Sequence, residues 1–266
     1  TPDNGVAAAM YAACKATVKV GDGNEISLHE QTNYPFEETI RFTVNTPKAV
    51  SFPFYLRIPS WTEGATIFVN GKKVAANPEA GQYACINREW KDNDQVEIQL
   101  PMQLSMRTWQ VNKNSVSVDY GPLTMSLKID EDYVKKDSRA TAIGDSKWQE
   151  GADASQWPTY EIYAKTPWNY ALVLGKNEPL KDFKVVHKEW PADNFPFTVA
   201  STPIEVKAIG RKVPSWVIDQ YDLCSELPEM DAPKGEKEEI TLIPMGAARL
   251  RVSACLLYTS PSPRDS

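Results

Sequence analysis

The chain has 266 residues, a formal net charge of −6, twenty prolines and 42% hydrophobic residues. That length holds one large β domain or, more comfortably, two modules of about 100 to 150 residues each. An acidic balance with no Lys/Arg cluster argues against a nucleic-acid partner, and no apolar run reaches the roughly 18 residues needed to span a bilayer.

In chain order, Val6 to Cys14 is ambiguous. Ala7 to Ala13 has high helix propensity, and on propensity alone a short helix is expected there. Thr17 to Val20, Gly21-Asp22-Gly23 and Glu25 to Gln31 read as a hairpin. In Ile40 to Val44 apolar and polar residues alternate, the period of a strand with one buried face. The alternation continues through Phe52, Phe54, Leu56 and Ile58, with Pro53 expected at the start or edge of its strand because it cannot donate to a ladder. Ile67 and Val69 lead into Asn70-Gly71, whose type I′ turn needs positive φ at both central residues. Gly81 to Ile86 and Val96 to Met102 read as further strands, separated by a turn at Lys91 to Asp94. Asn93 suits its left-handed position.

Val116 to Tyr120, followed by Gly121-Pro122-Leu123, reads as a strand returning to the first module. Asp130 to Gln156 turns polar and charged, so a linker or long surface loop is placed there. A second β region follows: Tyr160 to Tyr163, Trp168 to Leu174, Phe197 to Ala200, Ile204 to Ala208, Ile240 to Ile243 and Ala247 to Val252. Leu227 to Glu239, rich in Pro and charge, reads as a loop. The pattern predicts an all-β fold of two antiparallel β-sandwich modules in tandem, 1–129 and 130–253. Ile40, Phe42, Phe54, Leu56, Ile67, Val69, Val96 and Ile98 are the expected core of the first.

The ends are unusual. The chain starts at Thr1-Pro2-Asp3 with no basic-then-apolar leader, so no signal peptide can be read, and the localisation stays unknown. Cys255 to Ser266, CLLYTSPSPRDS, has no pattern continuous with the preceding residues and resembles the translation of a sequencing adaptor. Residues 254–266 are therefore read as a non-native tail that packs against nothing.

Several stretches together carry a family resemblance. Thr32-Asn33-Tyr34-Pro35-Phe36, Leu56-Arg57-Ile58-Pro59-Ser60-Trp61, Val69-Asn70-Gly71 and Pro101-Met102 stand in an order and spacing similar to glycoside hydrolase family 127, the β-L-arabinofuranosidase-like enzymes. Trp168-Asn169-Tyr170, Val213-Pro214-Ser215-Trp216 and Ile243-Pro244-Met245-Gly246 resemble the C-terminal module of bacterial members. The resemblance implies a strand within Val6 to Cys14. It also implies that catalysis belongs to an (α/α)6 barrel upstream, where zinc, a glutamate and further cysteines hold a nucleophilic cysteine. None of those positions has a counterpart here, so no catalytic, cofactor-binding or metal residue is carried over. Zinc is expected in the parent barrel only, and that barrel, extracytoplasmic or periplasmic by analogy, is the expected partner.

The residues alone agree. Glycosidases need two facing carboxyl groups about 5 to 10 Å apart, whereas Glu37 and Glu38 are adjacent and point to opposite strand faces. Asp92 and Asp94 share a turn, where solvation is expected, and Glu25, Glu30 and Glu161 lack an obvious partner. His29 and His187 stand alone, no GxSxG exists, and Cys14, Cys85 and Cys224 lack the short ligand spacing of zinc sites. The eight tryptophans leave one ambiguity, because indoles fill sandwich cores and also stack on sugar faces. Trp61 and Trp90 look like core or corner residues; Trp148 and Trp157, in polar sequence, are the candidates for glycan stacking. Two readings follow: an accessory portion bracing a glycoside hydrolase barrel, or a carbohydrate-binding module that targets the enzyme. A row of exposed coplanar indoles would favour the second, an apolar patch near the N-terminal strands the first.

Overall fold

The computed structural model describes residues 1–76, 78–138, 153–220 and 223–258. The protein is all-β: among the described residues the elements are strands and two short 3-10 turns. Two compact units form, Thr1–Ser105 with Asp119–Leu123, and Met106–Val118 with Thr124–Ser266.

The first unit contains a three-stranded and a six-stranded sheet. The smaller has the order β1-β5-β8, from β1 (Val6–Ala8), β5 (Val50–Arg57) and β8 (Tyr83–Trp90). The larger runs β2-β3-β4-β9-β6-β7, from β2 (Cys14–Val20), β3 (Asn24–Gln31), β4 (Thr39–Asn45), β6 (Thr66–Val69), β7 (Lys72–Lys73) and β9 (Asp94–Gln99). One apolar core takes residues from both sheets, so the unit is a sandwich. All eight residues expected in that core are buried. Its largest enclosed side chain, Trp90, lies against Phe52 and Phe54 and donates its indole N–H to the Phe52 carbonyl at 3.0 Å.

Local chemistry explains the connections. Asn70 (φ 49°) and Gly71 (φ 75°) make the tight β6–β7 turn, and Asn93 (φ 64°) the turn before β9. The ambiguity at the N-terminus resolves as strand, since Val6–Ala8 pairs with Phe54–Leu56 in parallel, the exception to an otherwise antiparallel unit. Helix propensity loses to tertiary pairing here. Pro53 is not at the start of its strand: it sits inside β5, which β8 flanks throughout, at a position that β1 leaves uncovered on the other side. The missing N–H is tolerated because β1 covers β5 only from Phe54 onward. A Cβ on the preceding Gly5 would stand 2.3 Å from the Pro53 carbonyl oxygen, so only glycine fits that approach.

The second unit is built on an eight-stranded sheet, β10-β11-β12-β18-β17-β15-β19, with β16 also paired to β17. Its strands are β10 (Leu104–Trp109), β11 (Ser115–Tyr120), β12 (Leu123–Leu127), β15 (Tyr170–Val173), β16 (Lys184–His187), β17 (Ile204–Lys212), β18 (Lys237–Pro244) and β19 (Leu256–Tyr258). A separate two-stranded ribbon pairs β13 (Glu131–Lys136) with β14 (Thr159–Ala164).

Several sequence expectations fail in this unit. The strand Ser115–Tyr120 pairs within the eight-stranded sheet, and only its end, Asp119–Tyr120, together with Gly121 to Leu123 belongs to the first unit. The polar stretch from Asp130 contains β13, because β14 offers it a complete antiparallel partner. Phe197 to Ala200 is not a strand: the Thr198 hydroxyl and carbonyl capture the Ser201 and Thr202 amides, a side-chain turn that outcompetes extended backbone. Ala247 to Val252 is not a strand either. A 3-10 turn covers Met245–Ala247, and the amides of Arg249 and Leu250 donate to Glu131 instead of to a ladder. Of the tail, residues 259–266 lie outside the described residues, and Cys255 to Tyr258 do pack. Cys255 is buried and exchanges both backbone hydrogen bonds with Val116 at 2.9 Å, and Leu256–Tyr258 pairs in parallel with β15. An open sheet edge accepts any extended apolar segment through its backbone groups alone.

Candidate functional site

The sequence anchors meet in pairs. In the first unit Tyr11 donates its hydroxyl to the Arg57 carbonyl at 2.6 Å and stacks edge-on with Tyr34 at 5.8 Å. This brings the Tyr34-Pro35 and Arg57-Ile58-Pro59 segments together at one end of the sandwich, with Trp61 half-buried against the core. The Arg57 Nε is buried there without a hydrogen-bond partner. In the second unit Asn169 donates its side-chain amide to the carbonyls of Val213 (3.0 Å) and Trp216 (3.1 Å), and the rings of Trp168 and Trp216 lie 5.1 Å apart. Both junctions bury aromatic surface under hydrogen bonds that fix backbone turns, which is structural work.

Of the two tryptophans singled out for stacking, Trp148 lies outside the described residues. Trp157 is 69% exposed and follows the register of the β13–β14 ribbon, its carbonyl accepting the Ser138 hydroxyl. Trp109, 41% exposed, donates to the Ser117 hydroxyl at 2.8 Å under the Arg107 guanidinium. Trp157 lies in the bend before β14 whereas Trp109 ends β10, so among the described residues these two exposed indoles share no strand or sheet. The ribbon carries tyrosines instead: Tyr133 and Tyr160 share one face with rings 6.1 Å apart and nearly perpendicular, while Tyr163 projects from the other.

The carboxylates are mostly occupied. Glu37 accepts from Asn33, and Glu38 from the Met102 amide at 2.8 Å. Asp94 is not solvated as expected: it is buried, and despite that burial the Asn70 amide and the Lys91 N–H hold its carboxyl below the usual range. Glu30, which showed no obvious partner in the sequence, has one here. It is buried, accepts from the Ala12 amide at 2.9 Å, and burial pushes its carboxyl up to about 7. Its signal was present, because Ile26, Leu28 and Glu30 alternate onto one buried face. Beside it runs a cleft of about 230 Å³ lined by Val6, Ala8, Met10, Val18 and Phe42 among others, with Met10 83% exposed.

Glu30 has one sulfur neighbour, Cys14 at 3.8 Å, and no facing carboxylate in that cleft, so the two-carboxyl geometry of glycoside hydrolysis is missing there. Among the described residues no group of three or more His, Cys, Asp or Glu could hold a metal ion, and the four cysteines are separate free thiols. No helix among them is long and apolar enough to cross a membrane.

Residues 5–102 match the family described as beta-L-arabinofuranosidase, GH127 middle domain. No curated protein sequence matches the chain significantly. Among solved structures, a glycoside hydrolase aligns with TM-score 0.59 and 22% identity over 97% of this chain and 36% of its own. A GH127 beta-L-arabinofuranosidase from Geobacillus stearothermophilus T6 gives TM-score 0.59 and 21% identity over 97% and 34%. The GH127 beta-arabinofuranosidase BT3674 gives TM-score 0.60 and 19% identity over 98% and 37%. The chain thus spans about a third of the length of the structures it matches. Residues 5–102 are similar to GH127 middle domains, and the chain as a whole has the fold of the corresponding third of those glycoside hydrolases.

Proposed function

We propose that this chain is the accessory β portion of a glycoside hydrolase acting on L-arabinofuranosides or related plant-type glycans, and that it braces an (α/α)6 catalytic barrel. The middle-domain match over residues 5–102 carries the reading. The bracing role draws support from the N-terminal end of the first unit, where exposed Met10 stands beside an apolar cleft suited to covering by another protein surface. Zinc would be held in the barrel. The residues of this chain do not fit it, since its cysteines are scattered and no ligand cluster forms among the described residues.

The test is to assay the purified chain beside a longer protein that carries the barrel, using an aryl β-L-arabinofuranoside and measuring zinc by elemental analysis. Turnover and zinc are expected only in the longer protein. Turnover by the chain alone would overturn the accessory role; a zinc-loaded longer protein that cleaves no arabinofuranoside would remove the proposed substrate.

A further inference from the structure

The outer face of the second unit's sheet carries an arrangement that stability does not favour. Lys184 on β16 lies directly opposite Lys207 on β17, and Lys207 directly opposite Thr241 on β18. The Lys128 amide, at the end of β12, donates to the Thr241 carbonyl at 2.8 Å. The order Lys128, Thr241, Lys207, Lys184 is therefore one row across four neighbouring strands, about 14 Å long at the usual strand spacing. Like charges directly opposite one another destabilise a sheet.

One buried carboxylate partly offsets the row. Glu205 takes the Lys128 ammonium at 2.9 Å and that of Lys188 at 3.2 Å, with Lys207 at 3.9 Å. Lys207 also donates to the Thr241 hydroxyl at 2.8 Å and lies 4.0 Å from the exposed Glu239. Four lysines thus face Glu205 and Glu239, with Asp130 lining the same hollow as Lys128 and Thr241, which leaves a small positive excess on a protein whose net charge is −6. Lys184 has no ion-pair partner among the described residues and is exposed.

We infer that this row binds an anionic glycan, an oligosaccharide whose carboxylate groups are received by Lys184 and Lys207 with Thr241 as the hydroxyl partner. The glycan assignment rests on the glycoside hydrolase reading above; the anion preference rests on the row itself. Glu205 serves as the anchor that gathers the ammonium groups without neutralising them all. Charge-assisted hydrogen bonds to several ammonium groups select an acidic sugar chain over a neutral one.

The experiment titrates the 266-residue chain with an oligogalacturonate and with its fully methyl-esterified form by calorimetry. The acid form is expected to bind at least about tenfold more tightly and to weaken as salt is raised. Lys184→Glu with Lys207→Glu should abolish that preference, while Lys72→Glu with Lys73→Glu, the same charge change in the other unit, should leave it. A circular dichroism melt of each variant separates loss of binding from loss of fold, and Lys184→Ala alone should already weaken binding several-fold. Equal binding of acid and ester, or unchanged binding by the double variant, would overturn the site. Tighter binding of a single-stranded DNA of matched charge, or displacement of the oligosaccharide by an equal concentration of inorganic phosphate, would overturn the glycan assignment. Because binding is read on this chain and turnover on the barrel-containing protein, either reading can fail without the other.

Discussion

The indole N–H of Trp90 reaches the main-chain carbonyl of Phe52 at 3.0 Å inside the first sandwich, where Trp90 is fully enclosed. Trp90→Phe removes the donor, strands that contact and leaves a cavity. It should lower stability by about 2 to 4 kcal/mol, read as an earlier urea midpoint for the first unit. Trp157→Ala, at 69% exposure, should change stability by no more than about 0.5 kcal/mol.

Glu30 gives the first unit a pH dependence. Its folded carboxyl titrates near 7, above the ordinary value of 4.5, because burial disfavours the charged form. Between those values the folded state holds a proton that the unfolded chain has released, so stability falls as pH rises from about 4.5 to 7. Glu30→Gln keeps an acceptor for the Ala12 amide and removes the charge. Its stability should be flat across that window and exceed that of the parent at pH 8 by about 1 to 3 kcal/mol. A parent whose stability is level from pH 4.5 to 7 would contradict this account.

At the β6–β7 turn, Gly71→Ala forces a Cβ into the left-handed region and should cost about 1 to 2 kcal/mol. Asn70→Ala should cost about as much or more. It loses two side-chain hydrogen bonds at 2.8 Å, one to Asp94 and one from the Gln95 amide, as well as a residue suited to positive φ. Thermal melts of the two variants check both.

Thiol labelling tests the C-terminal strand. Cys14, Cys85 and Cys224 are exposed, whereas Cys255 is enclosed and its thiol is pushed up to about 12 by burial. In native protein three thiols should react with Ellman's reagent and the fourth only after unfolding. Removing Cys255–Tyr258 and the residues beyond should lower the melting midpoint by about 2 to 4 °C, since Val116 and the edge of β15 lose their backbone partners. Four fast thiols, or an unchanged midpoint, would mean that this segment does not pack.

The first sandwich was legible because its signals are local. A period of two from Ile40 to Ile58 fixes which side chains face inward, and Asn70-Gly71 fixes a turn whatever surrounds it. Even Glu30 could be read, as the third member of the Ile26, Leu28, Glu30 face. The second unit was less legible. Its strands are set by partners far along the chain: β13 forms because β14 pairs with it, and Phe197 to Ala200 fails to form a strand because Thr198 captures two amides. The sequence shows no cluster of lysines, since Lys128, Lys184 and Lys207 are separated by dozens of residues. Only strand pairing sets them in one row, because register between distant segments is a property of the assembled sheet. The sequence by itself determined the β architecture and the turns of the first sandwich, because both are set by local periodicity and local backbone conformation. The tertiary structure decided which charges and anchors meet, because that depends on long-range hydrogen bonding, which local periodicity does not encode.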